Sequence, residues 1–242
     1  QQMSSRNALV RLLREAQSTA QLRSPHVVQI FDHGEEDGFA FIVMELMVGE
    51  SLSCRLKRGP VTGNEELFTL MNHVARAIFR AHQAGIIHRD LKPANIFLVE
   101  NDGDTLVKVL DFGIAKGGLA TQEPTPLTKP GSTLGTPHYM SPEQVEHPDE
   151  VDHRCDLWAM GVVVFECVCG RRPFVGGSIG ELMLNICARD APIPSAHGAA
   201  IPGFDAWFAR STDRDINKRF QSAKELIGAL EPILCPDASA HA

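Results

Sequence analysis

The run His88-Arg89-Asp90-Leu91-Lys92-Pro93-Ala94-Asn95 places an acid, a lysine and an amide in one short loop. A carboxylate such as Asp90 can accept the proton of a substrate hydroxyl. A lysine such as Lys92 can neutralise charge on a migrating phosphoryl group. The oxygen of Asn95 can hold a hard divalent cation, and Asp111-Phe112-Gly113 brings a second carboxylate for the same purpose. Together these are the groups needed to move a phosphoryl group onto a hydroxyl. Each residue alone has an ordinary reading, a turn aspartate or a loop aspartate before glycine. Their joint offsets argue against that reading.

The elements that must position these groups are readable from periodicity. Leu9, Leu12, Leu13 and Ala16 recur at helical spacing. Val27 to His33 and Phe39 to Leu46 read as strands around the turn Gly34 to Gly38, and Met47 to Glu50 as a connector. Ser51-Leu52 opens a brief helix ending near Gly59-Pro60. Glu65 to Ala84 is an amphipathic helix with Leu67, Leu70, Met71, Val74, Ile78 and Ala81 on one face, and Gly85 is its natural stop. The loop at Asp90 follows directly. A hairpin is predicted from Asn95 to Leu110 around Asn101-Asp102-Gly103-Asp104. Residues 116–135 are rich in Gly, Pro, Thr and Ser and lack periodicity, the mark of a functional or disordered loop. Asp156 to Cys169 reads as a helix buried on all sides. Further helices are predicted over Ile179 to Ala188 and Phe204 to Arg210, and a capping box at Ser222 to Glu225 starts the last one.

In this order and spacing the motifs resemble the eukaryotic-like Ser/Thr protein kinases of bacterial type, from roughly Glu15 to Leu230. The resemblance implies an α+β, two-lobed protein-kinase-like fold. It would have a partial N-lobe (a helix plus two strands) over 1–46, a complete and mostly helical C-lobe over 47–232, and a tail over 233–242. It implies ATP and Mg2+ as cofactors and protein Ser/Thr hydroxyls as substrates. Asp90 and Lys92 would be catalytic, with Asn95 and Asp111 as metal ligands. Met44-Glu45-Leu46-Met47 resembles the segment joining the lobes. There the Glu45 carbonyl and Met47 amide would meet the adenine edge beside Met44. Glu50 would bond a ribose hydroxyl, and Phe97 would floor the pocket. Glu15 matches the helix glutamate that pairs with an ATP-orienting lysine. His88, Phe112, Ile30 and Thr19 match the side chains stacked between the lobes, with Thr19 standing where a larger apolar residue is usual. Gly135 to Glu143 resembles the peptide-positioning loop, in which Thr136 would bond Asp90 and Lys92 and Glu143 would pair with Arg219. Asp156 would hold the catalytic-loop backbone. Arg89 and Lys116 would form a basic pocket for a phosphorylated Thr128, Ser132 or Thr133, reached by self-association for loop autophosphorylation.

Composition is compatible with this and excludes other classes. The chain has 242 residues and a net charge of −7, which argues against a nucleic-acid partner. The apolar run from Leu157 to Cys169 is interrupted by Glu166 and is too short to span a membrane. No signal peptide is legible. The six cysteines show neither disulfide nor zinc spacing, so a reduced, cytoplasmic protein is expected.

The chain begins at Gln1, and no Gly-rich loop or strand lysine precedes Glu15. It reads as an N-terminally truncated kinase domain. Two other readings compete: a pseudokinase acting as a non-catalytic binding module, and a small-molecule phosphotransferase. The intact Asp90, Lys92, Asn95 and Asp111 weigh against the first, and the Thr136 to Glu143 block against the second. These 242 residues alone are therefore expected to bind ATP weakly and turn over little. Calorimetric titration with Mg-ATP and a phosphotransfer assay check this, and ordinary kinase rates from this chain alone would overturn it.

Overall fold

The computed structural model describes residues 22–36, 39–101, 104–112 and 137–236. Strands β1 (Ile30–Glu36) and β2 (Phe39–Met44) form an antiparallel hairpin. A second sheet, in the order β3-β4-β5, is built from β3 (Gly49–Ser51), β4 (Ile96–Asn101) and β5 (Asp104–Val109). The helices are α1 (Leu52–Leu56), α2 (Asn64–Gln83), α3 (Pro142–Glu146), α4 (Arg154–Cys169), α5 (Ile179–Cys187), α6 (Phe204–Ser211) and α7 (Ala223–Leu234). Short 3-10 turns lie at Pro93–Asn95, Pro137–Tyr139 and Pro194–His197. A small strand-rich part thus precedes a mostly helical body, as expected. The helix expected around Leu9 to Ala16 lies outside the described residues.

The boundaries differ from the sequence expectation at three places. Gly34, expected to open the turn, sits inside β1, opposite Phe41. A Cβ there would meet the Phe41 ring at 2.7 Å, so the glycine serves as a bare strand position beneath an aromatic ring. Val27 and Val28 fall outside the hairpin. Val27 bridges Val109 in parallel, and Val28 N–H donates to the Val109 carbonyl. Gly49 and Glu50, expected in the connector, and Ser51, expected to open the brief helix, pair with β4 as a strand. Gly49 (φ 144) permits this, since a Cβ there would lie 2.0 Å from the Leu98 carbonyl oxygen.

Helix α2 aims the chain at the candidate loop. Glu65 and Glu66 lie in its first turn and Arg80 and His82 in its last, matching the helix dipole. Gly85, at φ 73, ends it in a left-handed turn. Gly85 N–H then donates to His82 O, and Ile86 N–H to Ala81 O, the paired bonds of a Schellman stop. The chain leaves this stop in one direction, two residues before His88.

Helix α4 runs through the centre of the core, with Leu157, Trp158, Met160, Val162, Val163, Val164 and Phe165 inaccessible to solvent. It packs closely on α6 at Gly161, where a Cβ would lie 2.3 Å from Ser211 Oγ and 2.9 Å from its Cβ. Ser211 Oγ donates to Phe208 O, which ties it in place. Gly161→Ala is therefore expected to destabilise the fold by about 1–3 kcal/mol. Gly180→Ala in α5 meets nothing within 4 Å and should be neutral or gain a few tenths of a kcal/mol. Urea unfolding of the two variants checks the contrast.

Candidate active site

The loop from His88 to Asn95 is organised from beneath by Asp156, in the first turn of α4. Its Oδ2 accepts from His88 N–H at 2.9 Å and its Oδ1 from Arg89 N–H at 2.8 Å. Oδ2 also stands 2.7 Å from His82 Nε2, in the last turn of α2. Burial alone would raise the Asp156 pKa, but the bonds from His82 and the His88 amide outweigh it and hold the carboxyl below its usual range. The two backbone bonds fix Arg89 in the left-handed region, at φ 62. The Arg89 carbonyl in turn accepts from Gln144 Nε2 of α3 at 2.8 Å.

The His88 ring is buried and its tautomer follows from its neighbours. Nε2 faces the Leu110 carbonyl at 2.8 Å, which can only accept, so Nε2 carries the proton. Nδ1 faces Asp90 N–H at 3.2 Å and accepts from it. The ring packs against Phe112 in a tilted arrangement, with centroids 4.7 Å apart and planes at 53°. Burial is the largest influence and pushes its pKa down, against the pull of Asp156. A neutral histidine thus ties the loop to the end of β5.

The side chains of the loop converge. Lys92 Nζ stands 2.6 Å from Asp90 Oδ2, with both side chains mostly buried. Asn95 Nδ2 donates to the Asp90 carbonyl at 3.0 Å and approaches Oδ2 at 3.4 Å. Because a carbonyl demands a donor, the amide nitrogen of Asn95 faces Asp90 and its oxygen is turned the other way. Asn95 O also accepts from Leu110 N–H at 2.9 Å, linking Asn95 to the residue before Asp111. Asp111 is exposed and held at φ 54. Arg89 and Asp111 are the two non-glycine residues with positive φ among those described, and they flank this cluster. An amide oxygen and a carboxylate form a hard-oxygen donor pair. That pair suits Mg2+, which keeps waters and takes phosphate oxygens as its other ligands. Among the described residues, no group of three or more His, Cys, Asp or Glu could hold a metal ion by itself.

Other expected residues are placed less directly. Met44 ends β2, and Glu45 and Met47 follow in the connector. Phe97 lies in β4, partly buried, opposite Ser51 and Lys108. The Glu50 carboxylate, expected to meet a ribose, is held by both terminal nitrogens of Arg58, at 2.7 Å for Nη1 to Oε2. Glu143 and Arg219 do pair, in two bonds of 2.6 and 2.8 Å. The Arg219 guanidinium is fully buried and lies 5.0 Å from the Trp158 ring centroid. Glu15, Lys116, Thr128, Ser132, Thr133 and Thr136 lie outside the described residues.

Two residues of the network escaped sequence reading. His82 carries no motif of its own and stands in the last turn of α2, where a basic residue is commonplace. Gln144 was passed over, although Ser141-Pro142-Glu143-Gln144 has the capping-box pattern that starts α3. Its Oε1 accepts from Ser141 N–H at 3.1 Å while its Nε2 reaches Arg89 O.

The family described as the protein kinase domain matches residues 1–237. The serine/threonine-protein kinase PknH of Mycobacterium bovis is 39% identical over 230 residues, covering 94% of this chain and 37% of that protein. PrkC of Bacillus subtilis, also a serine/threonine-protein kinase, is 35% identical over 217 residues, covering 89% of this chain and 32% of its own. The chain thus spans about a third of the length of the curated relatives it matches. Among solved structures, the PknI kinase domain of Mycobacterium tuberculosis superposes with a TM-score of 0.71 at 27% identity, over 92% of this chain and 77% of that one. Rad53 1-466 in complex with AMP-PNP superposes with a TM-score of 0.73 at 25% identity, over 90% and 54%.

The histidines make the fold acid-sensitive. His88 is held below its usual 6.5 by burial, and His73 is lowered to about 4 by burial beside His26 and Arg76. The unfolded chain takes up protons at these sites that the folded chain refuses. Stability should therefore be full above pH 6.5 and decline as pH falls from 6.5 towards 4. Asp156 adds its own loss only below its usual 3.8. Urea unfolding at pH 7 and pH 5 checks this, with His73→Phe expected to flatten the slope.

Proposed function

The chain belongs to the protein kinase family, among the bacterial Ser/Thr kinases of eukaryotic-like type, and from that premise we propose that it transfers the ATP γ-phosphate to Ser or Thr hydroxyls of proteins. The observation that carries this reading is the Asp90 side chain, paired at 2.6 Å with Lys92 and flanked by Asn95, in a loop whose backbone is pinned by Asp156.

In this reading the Asp90 carboxylate orients the attacking hydroxyl and takes its proton. The hydroxyl oxygen bonds to the γ-phosphorus as the bond to the β,γ-bridging oxygen breaks, leaving ADP. Lys92, already beside Asp90, meets the equatorial oxygens of the transferring group and offsets their charge. Asn95 and Asp111 are the residues that would hold Mg2+, which when bound neutralises phosphate charge. The Glu45 carbonyl, the Met47 amide, Met44 and Phe97 would receive the adenine. Nucleotide binding by a neighbour is support of the same kind, since Rad53 was solved with AMP-PNP. Thr136 would steady Asp90 and Lys92, and Glu15 would help orient the phosphates. Glu50 would reach the ribose only by giving up part of its bond to Arg58. Loop phosphorylation at Thr128, Ser132 or Thr133, read by Arg89 and Lys116, would regulate the site. Among the described residues no helix is long and apolar enough to cross a membrane.

Asp90→Asn, made in the complete natural polypeptide, should lower phosphotransfer by about 10²-fold or more while Mg-ATP still binds. Radiolabel transfer to a generic protein substrate and calorimetry measure the two quantities. Undiminished transfer by the variant would remove Asp90 from its role. Nucleotide binding without any transfer by the unaltered protein would favour the non-catalytic binding module.

A further inference from the structure

The connector between β2 and β3 is anchored by polar contacts and not by packing. Leu46 is 97% and Val48 69% exposed, so burial contributes little to its position. Glu45 instead fastens it to two other segments. Its N–H donates to Gln29 O at 3.0 Å, and its Oε1 accepts from Gln29 N–H at 2.7 Å, a two-bond clasp on one residue. The same Oε1 receives Lys108 Nζ of β5 at 2.7 Å. The Lys108 side chain is only 13% exposed and that of Glu45 22%, so this pair is screened far less than a surface one. The contacts close a ring. Next to Gln29, Val28 N–H donates to Val109 O, and Val109 follows Lys108 in the chain.

Both ends of this ring lie against candidate binding groups. Lys108 stands cross-strand from Phe97, and three residues later, just past the end of β5, comes Asp111. Glu45 and Met47 carry the backbone groups assigned to the adenine. We infer that Lys108 is a positioning residue for the nucleotide: through the Glu45 carboxylate it locks the adenine-facing connector to β5, the strand that leads into Asp111, so that base and metal-binding carboxylate share one frame. This inference rests on the kinase reading of the site. Lys108 touches neither the base nor the phosphates in it and acts through Glu45.

The consequence is a selective loss of nucleotide affinity. In the complete natural polypeptide, Lys108→Met should raise KM for ATP about tenfold, the scale of one lost charge-assisted hydrogen bond, with kcat nearly unchanged. Lys108→Arg should restore KM. Glu45→Gln, which keeps an acceptor for Gln29 N–H, should reproduce the KM rise, and the double variant should be no worse than either single one. Independently of activity, hydrogen exchange without nucleotide should quicken at the Gln29 and Glu45 amides, which the clasp holds, in Lys108→Met while α2 and α4 stay protected. Unchanged exchange at these amides, additive losses in the double variant, or faster exchange throughout the helices would each overturn the inference. If the unaltered protein neither binds nor uses ATP, it is the kinase reading that fails, and the exchange experiment still reports on the ring itself.

Discussion

One buried carboxylate organises the rest. Asp156 sits in α4, a helix buried along most of its length, where an ion without partners would be strongly disfavoured. It is tolerated there because donors surround it: two backbone amides of the 88–95 loop, His82 and the neighbouring Cys155 thiol. Hydrogen bonds to a charged group contribute about 1.5–3 kcal/mol each, more than neutral ones. The gain is geometrical as much as energetic. Arg89 has a left-handed backbone that a side-chain-bearing residue rarely adopts. That conformation turns two successive amides inward, and only an acceptor at the top of α4 satisfies both. The carboxylate therefore sets where Asp90 and Lys92 stand without touching either.

From this anchor the constraint spreads along two paths. The first runs through His88, whose single proton on Nε2 is committed to Leu110 O and whose Nδ1 is committed to Asp90 N–H. A protonated ring would have no acceptor for its second N–H at this place, so a neutral imidazole is part of the architecture. The second path runs from Arg89 O to Gln144, then through α3 to Glu143 and the buried Arg219. A break at any point leaves a buried donor or acceptor unmatched, which is costlier than never having made the bond. The loop is thus held by both a helix beneath it and a helix beside it.

How much of this was legible in the sequence depended on the range of the interaction. The octapeptide at Asp90, the helix ending at Gly85 and the all-buried helix at Asp156 were readable because local spacing determines them. The role of Asp156 and the Glu143–Arg219 pair became legible only through resemblance, since their partners lie 68 and 76 residues away. Gly34 misled because glycine signals a turn by frequency, whereas here it accommodates the Phe41 ring across the hairpin. β3 was hidden because three residues carry no periodicity. His82 and Gln144 were hidden because each has a common local explanation, a dipole-matching cation and a capping side chain. The structure shows each serving a distant partner as well.

The strand-rich part obeys a different rule from the helical body. The core cluster runs from Val27 to Leu234 but takes in little of the β1–β2 hairpin, whose Phe31, Phe39, Phe41 and Val43 remain exposed. Its attachment to the body therefore relies on the segment 26–28 alongside β5 and on the connector that follows β2. Hydrophobic burial is non-directional and tolerates sliding, whereas backbone pairing and a charge-assisted bond impose one register. A junction made of few, directional contacts can hold a definite geometry while remaining easier to open than the core beneath it. The polar links that supply that geometry are those of Gln29, Glu45 and Lys108, with Glu100 N–H on the Val48 carbonyl beside them.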